Sequence, residues 1–121
     1  MNASLTDSDQ YTLSTRVAAD QGAYHVSIDA GRCHVAYADV RHTCSTVELI
    51  IDVATGNPSP RLRRCLIDAV FDLDVMHTPR TLLANLPLGD VDLLDCVSQH
   101  LASVHTRSAG HSCLVDGRLL G

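Results

Sequence analysis

The chain has 121 residues, a hydrophobic fraction of 45% and a formal net charge of −5. That length is sufficient for one domain with a hydrophobic core, while the acidic balance argues against non-specific binding to nucleic acid or to an anionic membrane, which both need a cationic surface. Since no apolar run approaches the length of a membrane span and no leader resembles a signal peptide, we expect a cytoplasmic protein.

Alternation of apolar and polar residues dominates the first half of the chain. Residues 1–9 are polar and predict a flexible tail, so a single domain is expected over residues 10–121. Period-two alternation then predicts four strands, over residues 10–18, 24–29, 33–41 and 46–53. Short polar links with turn-forming residues separate the strands, which is typical of an antiparallel meander. The fourth strand is the most apolar, and we expect it to be central.

A helix and a fifth strand follow the meander. Pro58 and Pro60 stop the fourth strand and bracket the start of the helix, where a missing N–H costs little. Apolar residues recur with helical spacing over residues 61–74, at Leu62, Cys65, Leu66, Ala69, Val70 and Leu73. The fifth strand is predicted over residues 80–86. A strand–helix–strand crossover of this kind joins parallel strands, and ligands bind where it opens, here at residues 51–64.

The rest of the chain predicts a second helix and a hairpin. Asp90 is a candidate N-cap for a helix that runs to about Leu101. Two strands over residues 104–107 and 113–120 are expected to turn at residues 108–110. The predicted order is therefore β-β-β-β-α-β-α-β-β. It describes an α+β domain whose mixed sheet is antiparallel on both sides of one parallel pair, formed by the fourth and fifth strands.

The cysteines and histidines do not indicate a metal or disulfide framework. Five cysteines lie far apart without a CxxC pair, at Cys33, Cys44, Cys65, Cys96 and Cys113. The seven histidines form no HxH, HxxxH or HExxH pattern. We therefore predict no metal site. All nine basic residues are arginine, which excludes a functional lysine.

The order of elements over residues 47–120 resembles the GCN5-related N-acetyltransferase (GNAT) fold. The resemblance implies that the fourth strand and the following helix bind acetyl-CoA or another acyl-CoA. Against the family's glycine-rich pyrophosphate motif, Pro58 stands at the arginine or glutamine, and Ser59, Arg61 and Arg63 stand at the small residues, so the loop is degenerate. The residues expected to contact the cofactor are Ile51, Val53, Ser59, Arg61, Arg63 and Arg64.

Two further departures concern the acceptor side of this fold. Only residues 20–23 connect the first and second strands, which leaves no room for the two helices that the family places there and that help to build the acceptor pocket. The second helix contains no tyrosine, although the family often has one there that protonates the leaving thiolate. Cys96 lies close to that place.

Charged residues at both ends of the first helix oppose the helix dipole. The basic residues at its start are Arg61, Arg63 and Arg64, and the acidic residues towards its end are Asp68, Asp72 and Asp74. An anion docked at the N-terminus would make the arginines favourable. The alternative is a solvated helix face with an Arg64–Asp68 pair one turn apart.

The candidate catalytic residues have equally plain structural alternatives. Glu48, His34 and Asp52 are candidate general bases, because acceptor amines in the GNAT fold meet the sheet near the fourth strand. Polar residues of this kind also keep an exposed strand face soluble. Cys96 is a candidate general acid, and a buried helical cysteine also serves as a small hydrophobic residue.

Two functions are therefore open. The first is an acyl-CoA-binding or N-acyltransferase-like protein with a degenerate pyrophosphate loop; as an enzyme it would be an acyl-CoA-dependent N-acyltransferase. The second is a non-catalytic protein that uses the same scaffold for interaction or oligomerisation, for example as a homodimer. Without the two helices, part of the sheet should stay uncovered, and exposed apolar surface of that kind marks interfaces.

Overall fold

The computed structural model describes residues 2–4, 11–18, 22–31, 33–54 and 59–120. These residues form eight strands, two α-helices and one 3₁₀ turn at Asp74–His77. The strands are β1 (Asn2–Ser4), β2 (Tyr11–Ala18), β3 (Ala23–Ala30), β4 (Cys33–His42), β5 (Thr46–Val53), β6 (Thr81–Pro87), β7 (Leu101–Ala109) and β8 (Ser112–Leu119). The helices are α1 (Pro60–Phe71) and α2 (Val91–Ser98).

Within the described ranges the strands form one mixed sheet in the order β1-β2-β3-β4-β5-β6-β8-β7. Strands β5 and β6 are parallel, and the other neighbouring strands are antiparallel. The predicted fourth and fifth strands are therefore β5 and β6, and α1 is the crossover between them. This arrangement confirms the predicted α+β fold with a parallel pair inside an antiparallel sheet.

The boundaries differ from the prediction in a few places. The first helix ends at Phe71 rather than near residue 74, because Leu73 is extended, with a ψ of 142°. The second helix ends at Ser98, since Leu101 already pairs with Leu119 in the terminal hairpin. Strand β1 adds a short pairing to β2 within the predicted tail, and the other residues of 1–9 lie outside the described part. The division into a tail and one domain stays a prediction.

Both helices pack on the same face of the sheet. Along β5 the side chains alternate, so that Val47, Leu49 and Ile51 are buried while the residues between them are exposed. The buried side chains of α1 and α2, including Leu66 and Leu93, join the same hydrophobic core. We call the opposite face of the sheet the outer face. Its residues in β5 are Glu48, Ile50 and Asp52.

Candidate functional site

The parallel pair of strands separates before either strand ends. Pairing between β5 and β6 runs from Thr46 with Thr81 to Ile50 with Asn85. Beyond this rung, β5 continues to Val53 beside β4, while β6 continues to Pro87 beside β8. Beyond Ile50 and Asn85, β5 is therefore paired only with β4, and β6 only with β8. The result is an opening at the carboxyl ends of the parallel strands, where ligands bind in sheets of this kind.

The backbone of β5 presents hydrogen-bonding groups to this opening. The N–H of Ala54 donates to the Val35 carbonyl oxygen of β4 at 2.8 Å. Because successive N–H groups of a strand point to alternate sides, those of Ile51 and Val53 point away from β4, towards the opening. The Val53 N–H donates to the Asp52 Oδ1 at 3.0 Å. The two backbone positions predicted to contact the cofactor, Ile51 and Val53, therefore face the opening.

Helix α1 follows β5 in the chain, after residues 54–59. Ser59 is its N-cap, and the Ser59 Oγ accepts a hydrogen bond from the Leu62 N–H at 3.3 Å, with Pro60 in the first turn. No acidic residue lies in that first turn. Arg61 and Arg64 are exposed. The start of α1 thus combines a positive dipole end with two solvent-accessible guanidinium groups. Pro58, at the start of the degenerate motif, lies outside the described residues.

Arg63 has a different environment from its two neighbours. Its side chain is buried, and the Arg63 Nε lies 3.0 Å from the Asp90 Oδ2, with both side chains only 10% exposed. Asp90 also caps α2, because its Oδ1 accepts a hydrogen bond from the Leu93 N–H at 3.1 Å. The ion pair therefore joins the first turns of the two helices. Arg63 is predicted to contact the cofactor, and the structure assigns it this internal partner.

The outer face carries Glu48 in a shallow groove. Glu48 and Ile50 line a cavity of about 560 Å³ together with residues of β6, β7 and β8. Both also line a second cavity of about 450 Å³ that extends over β2, β3 and β4. Glu48 is exposed and two rungs from the end of the β5–β6 pairing. The candidate base thus lies on the outer face, close to the opening.

A histidine–aspartate pair that the sequence analysis did not identify lines the second of these cavities. The His25 Nδ1 is 2.6 Å from the Asp39 Oδ1, and the two residues are direct cross-strand neighbours of β3 and β4. The His25 ring stacks on the Tyr37 ring, with centroids 5.5 Å apart. Alternation places these residues on one face, but their pairing depends on the register of the β3–β4 hairpin.

The surroundings of the Tyr37 phenol raise its pKa. Burial raises the pKa of its phenol above the ordinary value of 10.0, and the negative charges of Asp52 and Asp39 and a hydrogen bond with Asp52 raise it further. Tyr37 and Asp52 are direct neighbours on β4 and β5. The Tyr37 hydroxyl therefore stays protonated at neutral pH.

In an alkaline titration of tyrosinate absorbance, we expect a late component from Tyr37, which should ionise at a higher pH than the ordinary value of 10.0. Tyr37→Phe should remove this component, and Asp52→Asn should move it to lower pH. Since the folded-state pKa lies above the unfolded value, the folded protein holds the proton more tightly, and stability is lost as the pH rises above about 10. A late component that persists in Tyr37→Phe would contradict the assignment.

The other candidate residues do not join this site. Cys96 is 8% exposed and lies on the buried side of α2, in the hydrophobic core. The backbone of His34 pairs with Asp29, but its side chain lies outside the described part. In the described ranges, no group of three histidine, cysteine, aspartate or glutamate side chains could hold a metal ion. None of the described helices is long and apolar enough to cross a membrane.

Solved structures show which class of protein has this fold. The chain is similar to the GNAT domain of PAT from S. lividans, with 8% identity, 98% of this chain and 96% of that domain covered, and a TM-score of 0.61. It is also similar to a GNAT-family acetyltransferase from Streptococcus pneumoniae, with 11% identity, coverages of 86% and 70%, and a TM-score of 0.59.

A third similar structure contains a ligand. It is yncA from Salmonella typhimurium with its cofactor acetyl-CoA, at 13% identity, coverages of 82% and 65%, and a TM-score of 0.55. By sequence, the chain matches no protein-family model and no curated protein. The fold is therefore that of the GNAT acetyltransferases. Within that fold this chain is a divergent form, in which residues 19–22 alone separate β2 from β3.

Proposed function

We propose that the protein binds acyl-CoA in the opening between β5 and β6, as an N-acyltransferase-like protein. The observation that carries the proposal is the end of the β5–β6 pairing at Ile50 and Asn85 while both strands continue. The pantetheine arm of CoA contains two amides, which can hydrogen-bond to the backbone groups of Ile51 and to the Val53 carbonyl oxygen, while the Val53 N–H donates to Asp52. An extended chain that adds to an unpaired strand in this way gains affinity from main-chain hydrogen bonds.

The start of α1 supports the same ligand. CoA carries phosphate groups, and a helix N-terminus attracts anions through its N–H groups and its dipole. Arg61 and Arg64 are exposed in that first turn, and guanidinium groups suit phosphate. The arginines that oppose the helix dipole in the absence of an anion complement it when a phosphate is bound.

Transfer of the acyl group would require a base that removes a proton from the acceptor amine, and β5 carries the candidates. The acceptor amine would attack the thioester carbonyl and lose a proton, while the CoA thiolate leaves and takes one up. Glu48 and Asp52 are the outward carboxylates on either side of Ile50, so proton removal from the amine would fall to one of them. These two carboxylates are our candidates for the base. Cys96, the candidate general acid, is buried in the core.

We expect acetyl-CoA to raise the melting temperature of the protein. A ligand that binds one site of the folded state stabilises it by about 2.7 kcal/mol at a concentration one hundred times its Kd. Differential scanning fluorimetry with increasing acetyl-CoA measures this shift. Absence of any shift at millimolar acetyl-CoA would refute the proposal.

Charge-reversal variants test the position of the phosphates. The Arg61→Glu, Arg64→Glu double variant should bind acetyl-CoA roughly tenfold more weakly, since each exposed charge contact contributes up to about 1 kcal/mol. Arg118→Glu, which reverses one exposed charge on β8, is the control for the effect of a charge reversal elsewhere on the surface. Acetyl-pantetheine, which lacks the phosphates, should bind the double variant and the wild type equally. A selective loss for Arg118→Glu would contradict this orientation.

A further inference from the structure

The outer face of the sheet carries an apolar patch that no element of the described chain covers. Ile50 of β5 is 49% exposed and Leu83 of β6 is 43% exposed. Leu114 of β8 is half-buried and lines the same cavity of about 560 Å³. Antiparallel sheets with one solvated face normally have polar residues there. Three large aliphatic side chains on adjacent strands are instead typical of a contact surface.

We propose that this outer face is the contact surface of a symmetric homodimer. The proposal does not rest on acyl-CoA binding. It commits to a second copy of the chain as the occupant, and it is argued from the charges beside the patch and from the area of the face.

The charges on both sides of the patch are arranged for a twofold axis. Arg41, Glu48, Leu83 and Asp116 are successive neighbours across β4, β5, β6 and β8, and all four are exposed. An axis parallel to the strands and midway between Glu48 and Leu83 places β5 over the partner's β6. It therefore places each Arg41 opposite the partner's Asp116, so the same pair of opposite charges forms twice.

In this arrangement no two like charges face each other directly among Arg41, Glu48, Leu83 and Asp116. Leu83 lies opposite the partner's Glu48, and Glu48 has Arg41 as its cross-strand neighbour, within the distance at which opposite charges on a sheet interact. Sheets that pack face to face align their strands and interdigitate side chains over a distance of about 10 Å. Ile50 and Leu83 are long enough to fill that space near the axis.

The area of the face suits a stable dimer. This axis brings six strands face to face (β3, β4, β5, β6, β8 and β7), which span roughly 24 Å at about 4.8 Å apart, and eight residues of a strand span roughly 26 Å. The resulting area is about 620 Å² per partner, and the total of about 1,250 Å² lies within the ~1,200–2,000 Å² of a standard specific interface.

The dimer has a consequence for Glu48. Because the axis passes beside it, Glu48 is covered in the dimer, and an acceptor amine cannot reach its carboxylate there. The axis runs along the strands between β5 and β6, so the opening beyond the last rung of β5–β6 pairing lies on its line. We therefore expect no transfer at Glu48 in the dimer.

Light scattering coupled to size exclusion tests the dimer. We expect twice the 13.0 kDa of one chain at high micromolar concentration, and the mass of one chain for Leu83→Arg. Leu120→Arg is the matched control, because Leu120 is 67% exposed and lies after the end of β8; this variant should remain dimeric. A monomeric wild type, or a dimer that persists in Leu83→Arg, would overturn the proposal.

A charge exchange tests the proposed axis without changing the apolar patch. Arg41→Asp and Asp116→Arg should each raise the dissociation constant of the dimer about tenfold or more, since like charges then face each other. The double variant restores opposite charges and should recover most of the affinity. A double variant no tighter than the single variants would refute this axis.

Acetyl-CoA binding by monomeric Leu83→Arg separates a failure of this proposal from a failure of the proposed function.

Discussion

Arg63→Ala is expected to lower the free energy of unfolding by about 3–5 kcal/mol, which is the usual cost of removing one partner of a buried ion pair. The Asp90 carboxylate, which is 10% exposed beside Arg63, would lose its guanidinium partner. It would still have to cap α2 through the Leu93 N–H. Urea unfolding followed by circular dichroism gives the difference from the midpoint and slope of the transition.

Two comparisons isolate the ion pair from the arginine itself. Arg64→Ala removes the neighbouring exposed guanidinium and should change stability by no more than about 0.5 kcal/mol. In a double-mutant cycle with Arg63→Met and Asp90→Asn, the combined loss should be smaller than the sum of the single losses, because the pair is removed together. Equal losses for Arg63→Ala and Arg64→Ala would show that the ion pair does not stabilise the fold.

Leu66→Ala is expected to cost about 2–5 kcal/mol, since it removes most of a fully buried side chain and leaves a cavity. Leu66 lies on the buried face of α1 and is 0% exposed in the core cluster that joins the helices to the sheet. Differential scanning calorimetry should show a fall in melting temperature, which for a domain of this size is several degrees per kcal/mol.

Asp68→Ala is the matched control on the opposite side of the same helix. Asp68 is exposed, and alanine has a higher helix propensity than aspartate, so stability should stay within about 0.5 kcal/mol of the wild type. A similar loss in both variants would mean that α1 does not pack against the sheet through the face that contains Leu66.

The order of the elements could be predicted because hydrophobic periodicity is a local signal. The alternation in β5 appears in the structure with its expected buried face. In α1 the buried residues include Leu62, Leu66 and Val70 of the predicted stripe, while Cys65, Ala69 and Leu73 are only half-buried. Asp90 is the N-cap of α2, as predicted. These features depend on residues within one or two turns of each other, which is the range that a sequence pattern contains.

Features that depend on long-range pairing could not be predicted in the same way. Arg63 precedes Ile67 by four residues and so shares its buried helix face, but its partner Asp90 is 27 residues away. The end of the β5–β6 pairing leaves no trace in the alternation of β5, which remains regular up to Val53. The His25–Asp39 contact depends on the register of a hairpin, which the turn fixes.

The parallel ladder that ends at the ligand opening also has a consequence for folding. Every neighbouring pair among β1–β5, and the β7–β8 pair, joins consecutive strands, so these contacts close short loops. The β5–β6 ladder instead brings together Thr46 and Thr81, with the whole of α1 between them. Closing this longer loop costs chain entropy before its contacts form, and such steps slow folding. Like the β6–β8 ladder, which spans α2 and β7, the short ladder whose end forms the proposed opening for acyl-CoA therefore requires the closure of a long loop.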